Sequence, residues 1–540
     1  MPQTTVRRCS TALCQVSAFA LVAVCWAGES NAQVKLDRFY PPVVVAGSES
    51  FVTAEGKVPE WPCKVICDRD ELEFGAEKDS GKFKVTLPAD VSPGVAWVRL
   101  HDAKSASGLT PVLISRYPVT MEVEPNDKPT EAAELKLPAV VVGKLHKNGD
   151  VDVYQVSLQA GQTLVASVTA HQILRSPMDG VLQLTDLDGN VILQSEDVRG
   201  IDPQIVYQAE SNQHVLLRIF AFPEVPTGTV GFAGADSFVY AIDVTTGLFV
   251  DHVLLNEQGE PRLFGTNLPA KNDLIEKLAT SVSPTTVSAK DALGWAWLPA
   301  SAPIDIARIR AGQTAKSLPV AAMGHISQRG QTDEFRFQAK KGTKYRIESW
   351  SKKFGFLLDS ELTLIDVKTQ KQLANNDDQT RGQYDSVLEY SAKDDAELMV
   401  QLRDLVEGFG PRHAYQLMIS ESTPGAELTV DADHFAIEKG KPLEISVAIN
   451  RDRGFDAKVR ISVSGLPTGI EAESVISEPK GATAKSVKLK LSSKTDQAFQ
   501  GNFSILGVVL DKDDKPTNQK VDARFNLRPE IAVKKFWLSK

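Results

Sequence analysis

Two short acidic segments carry the clearest candidate chemistry in this sequence. The first reads Glu-Val-Glu-Pro-Asn-Asp over residues 122–127, and the second reads Gly-Asp-Val-Asp-Val-Tyr over residues 149–154. Together they supply six oxygen-bearing side chains: Glu122, Glu124, Asn126, Asp127, Asp150 and Asp152. Five are carboxylates, which repel one another at close range unless a cation lies among them. The two segments therefore predict a site for a divalent cation.

Calcium suits these ligands because it binds six to eight oxygens and tolerates irregular geometry. In an extended segment Glu122 and Glu124 face the same side, and so do Asp150 and Asp152. Pro125 keeps Glu124 out of the helical region. We expect one Ca²⁺ held by these six side chains. The alternative is a solvated acidic linker beside an ordinary turn, because Glu, Pro, Asn and Asp favour loops anyway.

The rest of the sequence predicts the elements that must position this site. Apolar and polar residues alternate over short segments such as 82–87, 182–185 and 444–449, which is typical of strands. Asp188-Gly189 predicts the turn of a hairpin over residues 184–192. One short helix is predicted over residues 272–280. We therefore expect an all-β protein built of tandem β-sandwich modules.

An internal repeat organises the middle of the chain. In the first copy Leu137-Pro138 precedes Gly143, Gly149, Asp152 and Tyr154, and in the second copy Leu318-Pro319 precedes Gly324, Gly330, Asp333 and Phe335 at identical offsets. Two similar β-sandwiches are the natural interpretation.

The second copy has a different set of candidate ligands. Counting back from Pro319 places Asp305 at the position of Glu124 and Arg308 at the position of Asp127, while Gln331 replaces Asp150. Carboxylates that face an arginine make a poor calcium site. We expect the second copy to be metal-free, with Arg308 taking the place of the cation through an ion pair.

The order of these motifs resembles a known family. E-x-E-P-N-D is followed by G-D-x-D-x-Y, by Ala160-Gly-Gln162, by the Asp-Gly hairpin and by a closing strand over residues 240–244. This order resembles the bacterial pre-peptidase C-terminal domain, which is similar to the collagen-binding domain of clostridial collagenases. The resemblance covers residues 118–247 and, less closely, residues 301–421. It implies jelly-roll-like sandwiches, and calcium where the N-terminal arm meets the first sandwich, held by the six residues named above.

The flanking regions resemble other extracellular β modules. Residues 33–117 resemble an immunoglobulin-like module of the IPT/TIG type, residues 248–300 a partial module of that type, and residues 422–540 another immunoglobulin-like β-sandwich. The predicted organisation is a signal peptide over 1–32, this first module over 33–117, repeats over 118–247 and 301–421 with the partial connector over 248–300 between them, and the last sandwich over 422–540.

The N-terminus predicts export. Arg7 and Arg8 precede an apolar stretch over residues 13–27, and cleavage is expected after Ala32. No later stretch is apolar enough to hold the mature chain in a bilayer. We expect a periplasmic, cell-surface or extracellular location. A disulfide between Cys63 and Cys67 would need a tight turn, so two buried or unpaired thiols are favoured.

Charge and motifs narrow the function classes. The net charge of −9 argues against nucleic acid as a partner. H-E-x-x-H, G-x-S-x-G and a phosphate-binding loop are absent from the sequence. We expect no enzyme but a binding or adhesion protein for extracellular protein or polysaccharide. The alternatives are a secreted hydrolase or peptidase accessory subunit with an unrecognised active site, and a structural spacer.

A pair of tryptophans leaves two interpretations open. Trp295 and Trp297 alternate onto one face of a predicted strand. They would either stack on a sugar or peptide, or pack at a junction between modules.

Overall fold

The structure is a computed structural model, and it describes residues 33–223, 231–269, 275–278, 285–298, 306–528 and 531–540. The predicted signal peptide lies outside the described residues. Over these residues the chain is nearly all strand, and the helical elements are two short 3-10 helices, Pro129–Glu131 and Lys352–Phe354. The prediction of an all-β protein of tandem β-sandwich modules is confirmed.

The N-terminal region forms a sandwich of two four-stranded sheets. Its strands are β1 Lys35–Tyr40, β2 Val43–Val45, β3 Glu49–Lys57, β4 Lys64–Cys67, β5 Glu73–Ala76, β6 Lys82–Thr86, β7 Gly94–His101 and β8 Thr110–Ser115. The sheet orders are β1-β3-β6-β5 and β2-β8-β7-β4. Phe39, Phe83 and Val98 pack between the sheets. Cys63 directly precedes β4 and Cys67 is its last residue, and both are free thiols.

The first repeat is a sandwich of two five-stranded sheets. Its strands are β9 Val119–Met121, β10 Ala133–Glu134, β11 Ala139–Lys144, β12 Asp152–Leu158, β13 Thr163–Thr169, β14 Asp179–Thr185, β15 Val191–Ser195, β16 Gln204–Gln208, β17 Gln213–Phe222 and β18 Val239–Thr245. The sheet orders are β16-β13-β18-β11-β9 and β10-β12-β17-β14-β15. The predicted hairpin is confirmed as β14–β15, with Gly189 at a φ of 88° in its turn.

The connector between the repeats also consists of strands. They are β19 Phe249–Leu255, β20 Pro261–Thr266, β21 Ile275–Leu278, β22 Thr286–Ala289 and β23 Ala296–Trp297. The predicted helix over 272–280 is wrong for residues 275–278, because β21 pairs antiparallel with β22. Pairing with a neighbouring strand overrides the weak local helix preference. The remainder of that predicted helix lies outside the described residues.

The second repeat has the topology of the first. Its strands are β24 Ala307–Ile309, β25 Val320–His325, β26 Thr332–Ala339, β27 Lys344–Trp350, β28 Ser360–Asp366, β29 Gln372–Asn376, β30 Val387–Ser391, β31 Ala396–Asp404 and β32 Ala414–Glu421. The order β30-β27-β32-β25-β24 matches β16-β13-β18-β11-β9, and β26-β31-β28-β29 matches β12-β17-β14-β15. The repeated sequence motifs therefore occupy equivalent positions in two sandwiches.

The C-terminal region is a further set of paired strands. They are β33 Gly425–Thr429, β34 His434–Ala436, β35 Leu443–Asp452, β36 Val459–Ser464, β37 Ile470–Ala472, β38 Val475–Ser477, β39 Ser486–Ser493, β40 Gln500–Leu510, β41 Pro516–Arg528, β42 Ile531–Val533 and β43 Phe536–Ser539. Val447, Leu489 and Phe503 lie in their common core. None of the helices within the described ranges has the length and apolarity needed to cross a membrane.

One buried apolar cluster, which we call the junction core, joins several of these regions. It includes Trp97 on β7, Val165 on β13, Phe249 on β19 and Ile531 on β42. The Trp295 and Trp297 rings lie against it, edge to face, with centroids 4.9 Å apart. These tryptophans therefore pack at a junction between modules.

Candidate metal centre

The arm over residues 122–127 crosses from one sheet of the first repeat to the other. It follows β9, which pairs parallel with β11, and the Glu122 N–H still donates to the Val142 carbonyl at 2.9 Å. At the far end of the arm the Val153 N–H on β12 donates to the Asn126 carbonyl at 3.0 Å. This path brings the arm over Asp150 and Asp152, so the two acidic segments meet at one place.

Three carboxylates converge there. One oxygen each from Glu124, Asp150 and Asp152 lies within 4.8 Å of the others. Asp150 and Asp152 are fully buried, whereas Glu124 is exposed, so the cluster opens to solvent on the side of the arm. Asn126, 3% exposed, lies on the same arm. These four residues form the candidate metal centre.

Several buried polar atoms of this centre lack hydrogen-bond partners among the described residues. They are the Oδ1 atoms of Asp150 and Asp152 and both side-chain polar atoms of Asn126. A buried polar atom without a partner costs stability, and such atoms are rare in folded proteins. A cation that prefers oxygen ligands, bound at the carboxylate cluster, would provide a partner for such buried oxygens. The donor set therefore fits calcium.

Glu122 and Asp127 have hydrogen-bonding roles around the centre. Both Glu122 carboxylate oxygens accept from the Lys144 N–H at 2.9 Å, and Oε1 lies 3.3 Å from His146 Nε2. Asp127 Oδ1 accepts from the Val151 N–H at 3.1 Å, which fixes the loop before β12. Of the six predicted residues, the structure thus brings Glu124, Asp150 and Asp152 together and places the Glu122 carboxylate beside Asp152. Asn126 is buried on the same arm, and Asp127 holds the loop before β12.

Burial and mutual repulsion disfavour the ionised forms of the carboxylates in this centre. Burial, together with the neighbouring Glu122 carboxylate, raises the pKa of Asp152 to about 9, and burial also raises the pKa of Glu122. Without a cation the pair keeps a proton at neutral pH, because two carboxylates at close range cannot both ionise cheaply. A divalent cation reverses this preference and stabilises the ionised forms.

Two tyrosines complete the centre, and sequence reasoning missed them. The Tyr240 hydroxyl donates to Asp152 Oδ2 at 2.5 Å and lies 2.7 Å from the Tyr154 hydroxyl. Gly143 leaves room for this contact, since a Cβ there would lie 2.2 Å from the Tyr240 oxygen. The signal was present in the repeat, where Gly143 matches Gly324 at the same offset.

In the second repeat the equivalent aspartate has a hydrogen-bond donor on each carboxylate oxygen. Asp333, the counterpart of Asp152, accepts from the Gln331 amide through Oδ1 at 2.8 Å and from the Tyr415 hydroxyl through Oδ2. Gln331 in turn accepts from the Ser327 N–H at 2.8 Å. Both oxygens of Asp333 therefore have donors, whereas Asp152 Oδ1 has none among the described residues.

The expected role of Arg308 is wrong. β24 pairs Arg308 with Ala321, the counterpart of Val140, which pairs with Val119 in the first repeat. Arg308 therefore corresponds to Val119, and its guanidinium donates to the Ile306 carbonyl at 3.3 Å. Counting back from the prolines failed because the second arm is shorter. Asp305 lies outside the described residues.

Comparisons with known proteins give weak likenesses. No protein-family model and no curated protein matches the sequence. Among solved structures, the chain is similar to the pre-peptidase C-terminal domain of a collagenase from Bacillus anthracis, with 16% identity, 23% of this chain and 100% of that chain covered, and a TM-score of 0.17. It is also similar to a putative secreted protein from Eubacterium rectale, with 8% identity, coverage of 52% and 73%, and a TM-score of 0.15.

Proposed function

We propose that this protein is an exported, non-catalytic binding protein for extracellular protein or polysaccharide, with a calcium ion stabilising its first repeat. The observation that carries the calcium proposal is the set of buried oxygens without donors on Asn126, Asp150 and Asp152. Export is supported by the N-terminal sequence, where Arg7 and Arg8 precede an apolar stretch.

Glu124, Asn126, Asp150 and Asp152 would hold the ion, and Glu122 and Asp127 would position their neighbours. When bound, calcium supplies positive charge that neutralises the carboxylates. The arm carries two of these ligands and β12 and its preceding loop carry the other two, so binding ties the arm to the sandwich. Folding and calcium binding are then linked, because the unfolded chain lacks the assembled ligands.

A binding role is favoured over a hydrolase by the surroundings of the buried histidine. His252 Nδ1 lies 2.7 Å from Asp251, as in a catalytic pair, but its ring stacks on Phe264 at 4.9 Å. Its Nε2 has no hydrogen-bond partner in the described part of the chain, so no nucleophile stands where a base would activate it. A hydrolase would instead release products from protein or polysaccharide incubated with the chain.

The calcium proposal is tested by thermal unfolding of the wild type, Asp152→Asn and the matched control Asp333→Asn. Saturating calcium should raise the wild-type midpoint by several degrees over chelator, since a ligand at about 100 times its Kd adds about 2.7 kcal/mol. Asp152→Asn should lose most of this gain and Asp333→Asn should keep it. A wild type that ignores calcium, or equal losses in the two variants, would sink the proposal.

A further inference from the structure

A second candidate site lies between the second repeat and the C-terminal sandwich. It is an open cleft with a volume of about 610 Å³. Trp350 and Tyr384 of the second repeat line it together with Asp452 and Arg453 of the C-terminal sandwich. We infer that this cleft binds a neutral oligosaccharide. The inference rests on the proposed binding function and names the class of ligand.

The first repeat shows that this face of the sheet need not be polar. Arg346 on β27 pairs with Ser420, and its counterpart Val165 on β13 pairs with Thr245. Val165 is fully buried in the junction core. In the second repeat the same face carries Arg346, Glu348 and Trp350 and opens into the cleft. Since the sandwiches share one topology, the polar face reflects a different role and not a demand of the fold.

The charges of the cleft are balanced and held in place. The lining contains four basic and four acidic side chains. Arg346 pairs with Glu348 at 2.7 Å, and Arg453 pairs with Asp452 at 2.9 Å. Asp385 accepts from the backbone N–H groups of Ser351, Lys352 and Lys353. A balanced lining has little net field to attract an ion, and its fixed donors and acceptors suit an uncharged hydroxyl-rich ligand.

Two aromatic rings supply an apolar component. Tyr384 is 53% exposed, and Trp350 is half-buried with the Lys353 ammonium 4.5 Å from its ring centroid. The apolar face of an aromatic ring can stack on the apolar face of a sugar ring, while its polar edge forms hydrogen bonds with the sugar hydroxyls. An extended peptide would instead pair with a free strand edge. Of the edge strand β30, only its first residue, Val387, lines this cleft. The other lining residues come from the face of β27, from neighbouring loops and from the C-terminal sandwich, which favours the sugar.

The test uses the full chain with immobilised neutral gluco-, manno- and N-acetylglucosamine oligosaccharides, oligogalacturonate as an acidic comparator, and extended peptides. At least one neutral oligosaccharide should bind. Tyr384→Ala should weaken that binding about tenfold, the usual effect of losing an aromatic anchor. Phe409→Ala removes another ring of the second repeat, 51% exposed and outside the lining, and should leave binding unchanged.

Three results would overturn the cleft inference: binding of the acidic oligosaccharide or peptides alone, equal binding by Tyr384→Ala and Phe409→Ala, or no binding of any neutral sugar. If the chain then still captures extracellular protein or acidic polysaccharide, the proposed function stands without the cleft. Hydrolysis of the sugars by the chain would contradict the non-catalytic function itself.

Discussion

At the scale of single residues, a tyrosine and an aspartate form the part of the acidic centre that both repeats share. Tyr240 donates to Asp152 in the first repeat, and Tyr415 donates to Asp333 in the second. In each repeat a glycine, Gly143 or Gly324, leaves room for the tyrosine hydroxyl. The repeats differ at the other carboxylate oxygen of this aspartate. In the second repeat the Gln331 amide donates to Asp333 Oδ1, whereas Asp152 Oδ1 in the first repeat has no hydrogen-bond partner among the described residues. The candidate metal centre therefore differs from its counterpart in the second repeat through the arm and Asp150, while the tyrosine–aspartate pair is common to both.

Asn126 allows the cost of burying its side-chain amide and its contribution to calcium binding to be measured separately. Its buried amide has no partner among the described residues, and an unsatisfied buried group costs about 1–3 kcal/mol. Replacing it with leucine, of similar shape, should leave the unfolding midpoint in chelator unchanged or higher. The same variant should lose much of the calcium gain, because a ligand oxygen is gone.

Thermal unfolding of Asn126→Leu with calcium and with chelator measures both effects. Ser327→Ala, in the loop before β26 of the second repeat, is the control for calcium response. A variant that is destabilised in chelator and keeps the full calcium gain would mean that Asn126 has only a structural role.

The six candidate ligands could be named from the sequence because carboxylates in two short segments are visible without a fold. The separate role of each residue could not be predicted. Glu122 accepts from the Lys144 N–H and Asp127 from the Val151 N–H because the arm crosses between two sheets. No local sequence pattern predicts the course of such an arm. Arg308 was misplaced for the related reason that the length of the second arm is set by strand pairing.

At the scale of elements, Arg412 joins three parts of the chain. It lies in the loop before β32, and its Nη1 contacts both Asp251 oxygens on β19 at 2.9 and 2.8 Å. Its other nitrogens donate to the Val198 carbonyl of the first repeat and the Gly355 carbonyl of the second. Burial alone would raise the pKa of Asp251, but the Arg412 guanidinium and the His252 ring hold it well below its usual range.

Arg412→Met should destabilise the protein by about 3–5 kcal/mol near pH 7, since the buried Asp251 carboxylate loses its guanidinium partner and keeps only the His252 contact. In the wild type the depressed pKa of Asp251 gives stability that is present above its unfolded pKa of about 3.9 and is lost only in stronger acid. In the variant the pKa rises above that value, so stability falls as pH increases from about 4. The loss relative to wild type should therefore be smaller at pH 5 than at pH 8.

Urea unfolding at the two pH values measures this difference. Arg329→Met is the matched control, because Arg329 pairs with Glu407 on the surface of the same repeat and should cost less than about 1 kcal/mol. Equal losses in the two variants, or a loss in Arg412→Met that ignores pH, would contradict the role given to Arg412.

Most strands could be predicted because alternation of apolar and polar residues reports one buried face directly. The segment 275–278 could not, since it holds no such alternation and became a strand through pairing with β22. The internal sequence repeat predicted two sandwiches of similar construction. It could not predict that Val165 is buried in the first and that Arg346 lines an open cleft in the second, because this depends on which module lies beside each sheet.

At the scale of the whole molecule, the N-terminal and C-terminal sandwiches contact each other. Arg99 on β7 donates to Asp433 Oδ2 at 2.8 Å, and both side chains are 4% exposed. The Gln500 amide donates to the Asp102 carbonyl at 3.2 Å. Ile531 on β42 joins the junction core beside Trp97. Contacts between residues more than 300 positions apart in the chain have no local sequence pattern that would reveal them.

The Arg99–Asp433 ion pair offers a test of how strongly these two sandwiches are coupled. Although burial would raise the pKa of Asp433, hydrogen bonding to His434 and the Arg99 guanidinium lower it to about 2. The pair thus contributes stability above about pH 4 that is lost as pH falls toward 2. Arg99→Met leaves the buried Asp433 carboxylate without its guanidinium partner and should lower the free energy of unfolding by about 3–5 kcal/mol at neutral pH.

Asp433→Asn in the Arg99→Met background removes the stranded charge, so the double variant should be more stable than Arg99→Met alone. The difference in a double-mutant cycle measures the coupling between the two sandwiches. Hydrogen exchange shows which strands this coupling stabilises. Arg99→Met should speed amide exchange in both β8 and β43, which lie on opposite sides of the contact, because opening the contact exposes both strands. Faster exchange in β8 alone, with additive costs in the cycle, would show that the sandwiches are stable independently and that the contact holds neither in place.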